Sequence, residues 1–85
     1  MEHPQTPRLT DHARQRCQEM GVATKRVKRI LRDPDMGYTA REGRHIAWRR
    51  DDPTIAVVFV MREGIRLALT VVPRTQERYE RSSGE

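Results

Sequence analysis

The segment from Leu9 to Pro34 restricts the fold more than any other part of this 85-residue chain. It holds two short stretches with the apolar spacing of amphipathic helices, and Gly21 separates them. The segments that follow have the apolar composition and alternation of strands. The sequence therefore predicts an α+β fold in which two N-terminal helices pack on a small antiparallel sheet of three to four strands.

Capping residues predict where the two helices begin and end. Thr10 or Asp11 is expected to cap the first helix, because a short side-chain oxygen accepts a free N–H group of the first turn. Gly21 is expected to end that helix in a left-handed conformation. Thr24 is expected to cap the second helix, which ends at Asp33-Pro34 because proline disfavours the α conformation in the residue before it.

Four segments of the remaining chain read as strands, at 38–41, 44–49, 55–61 and 65–72. The third is apolar on both faces and is expected to lie in the centre of the sheet. Alternation along the fourth predicts one face made of Ile65, Leu67, Leu69 and Val71. The segment from Arg8 to Thr10 could add one short edge strand.

Length and charge set further limits. The chain is long enough for one domain, expected at 9–79 between a flexible lead-in at 1–8 and a frayed tail at 80–85. Lys and Arg total 17 against 12 Asp and Glu, a net charge of +5 that favours RNA or DNA as a partner over a merely Arg-rich surface. The lone Cys17 and the lack of an export signal or membrane span predict a cytoplasmic protein.

Several classes of chemistry find no support in the sequence. The three histidines and Cys17 lack the paired spacing of zinc ligands, so no metal and no cofactor are expected. The five glycines are isolated, which excludes a glycine-rich phosphate loop. The only serines, Ser82 and Ser83, lie in the tail, away from any hydrolase motif.

The Arg, His and Tyr residues fit RNA cleavage through the 2′-hydroxyl, which needs a proton acceptor, a proton donor and cations around the phosphorane. The residues assigned to catalysis are His12, Tyr79 and Arg74. The residues assigned to the substrate are Arg16, Arg44, His45 and Arg78. His12 and Arg16 share a helix face at i, i+4, and the last strand leads into the segment that holds Arg74, Arg78 and Tyr79.

Some of these assignments have a plain structural alternative. His12 could be a local cap or a surface residue, and Arg16 could pair with Asp11 or Glu19. Trp48 could stack on a base, although packing against the core is the simpler expectation.

Two surfaces are also predicted. His45 and Arg49 are expected to line the sheet face that the helices leave uncovered. The basic arc of the second helix is either a solvated face or a surface that holds phosphates without reading sequence.

The segment DHARQRCQEMGVATKRVKRILRDP, followed by strands, resembles an uncharacterised family of bacterial and phage domains. Members begin with the helix pattern H-A-x-x-R-x-x-x-x-G-[IV] and end the second helix near Asp-Pro. The positions that carry the match here are His12, Ala13, Arg16, Gly21, Val22 and Asp33-Pro34, and the ending TVVPRTQERYER is similar to actinobacterial members. The match covers about Leu9 to Tyr79, and the family is similar to the RelE, ParE and BrnT toxin superfamily.

The resemblance implies a RelE-like fold and a toxin-type domain that binds RNA or the ribosome. Metal-independent endoribonuclease activity that inhibits growth is one option, with an antitoxin as a further partner. In RelE-like ribonucleases a C-terminal Arg or Tyr takes part, which points to Arg74 and Tyr79 here. The alternatives are a non-catalytic phage or mobile-element protein that binds and inhibits a host protein, and a basic nucleic-acid binder without target preference.

Overall fold

The computed structural model describes residues 6–39 and 41–74 of the chain. The helices are α1 (Asp11–Met20) and α2 (Thr24–Arg32), and a short 3-10 turn spans Arg41–Gly43. The strands are β1 (Arg8–Leu9), β2 (Met36–Thr39), β3 (His45–Arg49), β4 (Asp52–Arg62) and β5 (Ile65–Pro73). The two helices precede the four longer strands, which confirms the α+β class.

The sheet has the strand order β1-β5-β4-β3-β2, with β4 in its centre as predicted. Strands β2 to β5 pair antiparallel with their neighbours. The two-residue strand β1 instead runs parallel to β5, with Leu9 opposite Ala68. The sheet is therefore mixed, and the prediction of a purely antiparallel sheet is wrong, because β1 leads directly into a helix that crosses back over β5.

The predicted helix ends are correct in three cases out of four. The Thr10 side chain accepts a hydrogen bond from the Ala13 amide, and Gly21 ends α1 with φ of 68° and ψ of 31°. The second helix ends at Asp33, before proline. The prediction for Thr24 is wrong, because the helix already includes Thr24. The N-cap residue is Ala23, and no side chain caps this helix.

Both helices pack on one face of the sheet, where they enclose the core. The α1 side of this core is small, with Ala13 and Cys17, whereas α2 presents Val27, Ile30 and Leu31. The sheet contributes Ala47, Ile55, Val57, Phe59, Ala68 and Val71, and Leu9 and Val22 complete the cluster. We call the opposite face of the sheet the open face, because no element among the described residues packs over it.

One irregularity decides which β5 side chains reach the core. Val58 and Phe59 of β4 are consecutive, yet they pair with Thr70 and Ala68, so Leu69 is an extra residue in β5. A bulge of this kind inverts the alternation of side chains beyond it. Ala68 therefore faces the helices together with Val71, and the predicted common face of Ile65, Leu67, Leu69 and Val71 is wrong.

Candidate nucleic-acid interface

The most basic element is α2, whose apolar and cationic residues lie on opposite sides. At about 100° per residue, the cations share an arc of about 100° on the side away from the core. We call this set the α2 stripe: Lys25, Lys28, Arg29 and Arg32. The arrangement follows from the spacing of the buried residues, which direct one side of the helix to the sheet and leave the other to solvent.

Asp51 in the turn between β3 and β4, and Asp52 at the start of β4, neutralise two of the α2 cations. Arg26, which lies beside the stripe, forms an ion pair with Asp52, and Arg29 lies 2.8 Å from Asp51. In the described residues, Lys25, Lys28 and Arg32 pair with no carboxylate. Three neighbouring positive charges of the stripe are therefore left uncompensated.

Asp51 links this turn to both layers of the fold. Its carboxylate accepts a 2.8 Å hydrogen bond from Arg49 Nε and a further contact from Arg29. The hydrogen bond from Arg49, together with the positive charges of Arg29 and Arg49, lowers the pKa of Asp51. The carboxylate therefore stays ionised and holds α2 against the β3–β4 turn.

A depression of about 650 Å³ lies along the stripe, between Ala23 and Arg32. All seven residues that line it come from α2 or from the residue just before it. Because a single helix bounds this space, it is a gap between long side chains rather than a closed cavity. Such a surface suits the backbone of an extended polyanion better than an enclosed small molecule.

The two α1 candidates lie in the helical layer. His12 is exposed in the first turn of α1. Arg16 is half-buried: its Nη1 lies 3.0 Å from Glu19, and its Nε donates to the Val71 carbonyl at 3.4 Å. The structural alternative for Arg16, an ion pair with Glu19, is therefore confirmed.

His45 does not lie where the sequence predicted. It shares a sheet face with Ala47, a core residue, because side chains two apart on a strand point the same way. Its ring stacks on Phe59 with centroids 5.2 Å apart, and Nδ1 lies 3.2 Å from Thr39 Oγ1. Arg49 faces the same side and donates to the Asp33 carbonyl. The prediction that these two residues line the uncovered face is wrong.

Arg74 lies on the open face. Its guanidinium carbon is 4.7 Å from the centroid of Trp48, whose neighbour Ala47 points into the core, and its amide donates to the Thr54 carbonyl at 2.8 Å. Trp48 therefore packs away from the core, beneath an arginine. The sheet separates this pair from His12 and Arg16.

The described residues thus do not bring the predicted catalytic set together. Arg44 is exposed just before β3. Arg78 and Tyr79 lie outside the described residues. In the part of the chain that the structure covers, no three His, Cys, Asp or Glu residues are grouped as metal ligands would be. Neither α1 nor α2 is long and apolar enough to cross a membrane.

Comparison with known proteins finds no matching family model, no matching curated protein and no matching solved structure. The RelE-like relationship therefore stays a prediction from sequence patterns. The candidate site is defined by the charges and contacts of this chain alone.

Proposed function

We propose that this protein binds RNA through its phosphates, along the α2 stripe. The observation that carries the proposal is the difference between neighbouring cations of one helix. Arg26 and Arg29 are held by carboxylates, whereas Lys25, Lys28 and Arg32 have no carboxylate partner among the described residues. At 1.5 Å per residue these three cations span about 10 Å of the helix axis, enough to follow a run of successive phosphates.

The proposed mode of binding is independent of base sequence. Contacts to phosphates position a nucleic acid but carry no sequence information, and lysine acts on them as a point charge. The net charge of +5 adds a long-range attraction that raises the rate of encounter. The proposal includes no cleavage step, because His12 and Arg74 lie on opposite sides of the sheet.

The test is the salt dependence of binding to a fluorescein-labelled single-stranded RNA of mixed sequence. Anisotropy titrations between about 50 and 200 mM salt should give a linear fall of log K with log salt, of about 0.7 for each phosphate contacted. A triple variant, Lys25→Gln, Lys28→Gln and Arg32→Gln, is expected to reduce the slope by up to about 2.

A matched variant separates the stripe from overall charge. Arg8→Gln, Arg44→Gln and Arg62→Gln remove the same number of charges from exposed positions outside α2, and should leave most of the slope in place. Equal losses in the two triple variants would show that net charge alone attracts RNA, and the α2 site would be rejected. Gel analysis of the same RNA after incubation tests the ribonuclease alternative.

A further inference from the structure

The open face carries a continuous set of large apolar side chains. Its strand positions are occupied by Ile46, Trp48, Val58, Val60, Ile65, Leu67 and Val72, all half-buried. On the helix-covered face of the same strands, Val57 and Val71 are fully buried. Side chains of these strands are therefore more buried on the face that the helices cover.

A sheet face that meets water normally alternates with the core face in polarity. The central strand does not follow this rule, because Val58 and Val60 face outward while Val57 and Phe59 face the helices. A continuous apolar surface on a protein this small is typical of an interaction site.

Arginines surround this apolar centre. Arg8 lies opposite Leu67 in register, Arg62 follows Val60 on β4, and Arg74 lies over Trp48. Arg44 precedes β3 in the same alternation as Ile46. The one acid in the described strands, Asp52, is bound by Arg26 of α2, on the helix-covered side of the sheet. The surface is therefore an apolar centre with a cationic rim.

We propose that the open face binds an acidic amphipathic polypeptide segment of a partner protein. Such a segment places an apolar stripe on the valines and leucine of β4 and β5, and its flanking Asp and Glu residues on the arginine rim. Charge complementarity is the argument that selects this occupant. The open face is separate from the α2 stripe, because α2 packs on the opposite face of the sheet.

Three other occupants fit less well. A second copy of the chain would bring two arginine rims together, which like-charge repulsion disfavours. Single-stranded nucleic acid stacks on aromatic rings, whereas Trp48 is the one aromatic residue among the seven apolar residues named above. The sequence from Thr75 to Glu85 has one large apolar side chain, Tyr79, and so lacks the apolar stripe of the proposed occupant.

The sole tryptophan of the chain, Trp48, lies on the proposed surface and reports on it directly. The probes are three synthetic peptides of about 18 residues. One is helical with a Leu stripe flanked by Glu, the second has the same stripe flanked by Lys, and the third is a scrambled form of the first. The acidic helical peptide is expected to shift Trp48 emission to the blue and to bind at least about tenfold more tightly than either control.

Neighbouring residues of β4 supply matched variants. Val58→Thr and Val60→Thr change the open face and retain β-branched side chains, and each should weaken peptide binding by about fivefold to tenfold. Met61→Thr changes the opposite face at a position that is 50% exposed, and should have no effect on binding. Circular dichroism of all three variants establishes that they are folded.

Equal affinity for the acidic and scrambled peptides would overturn the proposal, and so would equal affinity for the acidic and basic peptides. A concentration-dependent dimer that Val58→Thr dissociates would assign the face to a second copy of the chain. Loss of RNA binding in Val58→Thr would assign it to nucleic acid. Failure of the α2 stripe test leaves the peptide result standing, since the two experiments address opposite layers.

Discussion

The guanidinium of Arg66 donates a hydrogen bond to the carbonyl oxygen of Leu31, at the carboxyl end of α2. It also lies 5.9 Å from the centroid of Phe59. The contact joins β5 to α2, supplies a donor to one of the free carbonyls of the last turn, and places a positive charge at the negative end of the helix dipole.

Replacing Arg66 with methionine should therefore destabilise the fold by about 1–2 kcal/mol, because the carbonyl loses its donor and the helix end its cation. Urea denaturation monitored by circular dichroism measures this change. Arg62→Met, at the exposed end of β4, is the control and should change stability by less than about 0.5 kcal/mol. A similar effect of the two substitutions would contradict a specific role of Arg66 at the helix end.

Two threonines give a matched test of helix capping. Thr10→Ala should cost about 1 kcal/mol, since the Thr10 hydroxyl accepts from the Ala13 amide and also donates to the Leu69 carbonyl. Thr24→Ala should be close to neutral or slightly stabilising, because Thr24 lies inside α2 and alanine has the higher helix propensity. The measurement is the free energy of unfolding in urea, and a larger loss in Thr24→Ala would refute the capping assignment.

The lowered pKa of Asp51 predicts that the protein loses stability in acid. Its pKa is lowered in the folded protein below the ordinary value of 3.8, so its contribution is present above that value and is lost as pH falls through the folded pKa. Melting temperature should therefore fall below about pH 4. The fall should be smaller in Asp51→Asn, which already lacks the ionised group at neutral pH. Parallel curves for the two proteins would show that Asp51 does not contribute.

The burial of Cys17 predicts that its thiol reacts slowly with thiol reagents. The side chain is 1% exposed, and burial raises the pKa of its thiol, which lowers the fraction of reactive thiolate. Reaction with a disulfide reagent should be about 10³-fold slower than that of an exposed thiol, because access requires opening of the fold. The comparison is Met61→Cys in a Cys17→Ala background, which places a thiol at a position that is 50% exposed. Comparable rates would mean that α1 opens far more easily than its packing indicates.

The sequence predicted the helices well because the signals that define them are local. Thr10, Gly21 and Pro34 act on the backbone within one turn, so their effect does not depend on the rest of the fold. The β5 faces could not be predicted, because the extra residue Leu69 is defined by pairing with β4. A single chain shows the alternation of β5 but does not show where the partner strand shifts register.

The orientation of β3 was wrong for a different reason. Large apolar residues were expected in the core, which would direct Ile46 and Trp48 to the helices and His45 to solvent. The structure instead buries Ala47 under the helices, and the two larger residues lie on the open face. Composition alone does not show that a sheet has a second apolar face.

The α2 stripe was partly predictable. The basic arc follows from helical periodicity, and phosphate binding was one of its two interpretations. The distinction between paired and unpaired cations could not be predicted, because Asp51 and Asp52 lie more than twenty residues along the chain from Arg26 and Arg29. Neutralisation of these two arginines depends on the approach of the β3–β4 turn to α2.

The bulge at Leu69 makes β5 a strand that can lose one residue without changing its faces. Removing Leu69 would leave Ala68 opposite Phe59 and Thr70 opposite Val58 in an unbroken ladder, so Val71 would stay in the interior. A residue added to the 3-10 turn at Arg41–Gly43 also leaves the phase of the neighbouring strands intact. Changes of length by natural drift or by engineering are therefore tolerated at this position of β5 as well as in the connections.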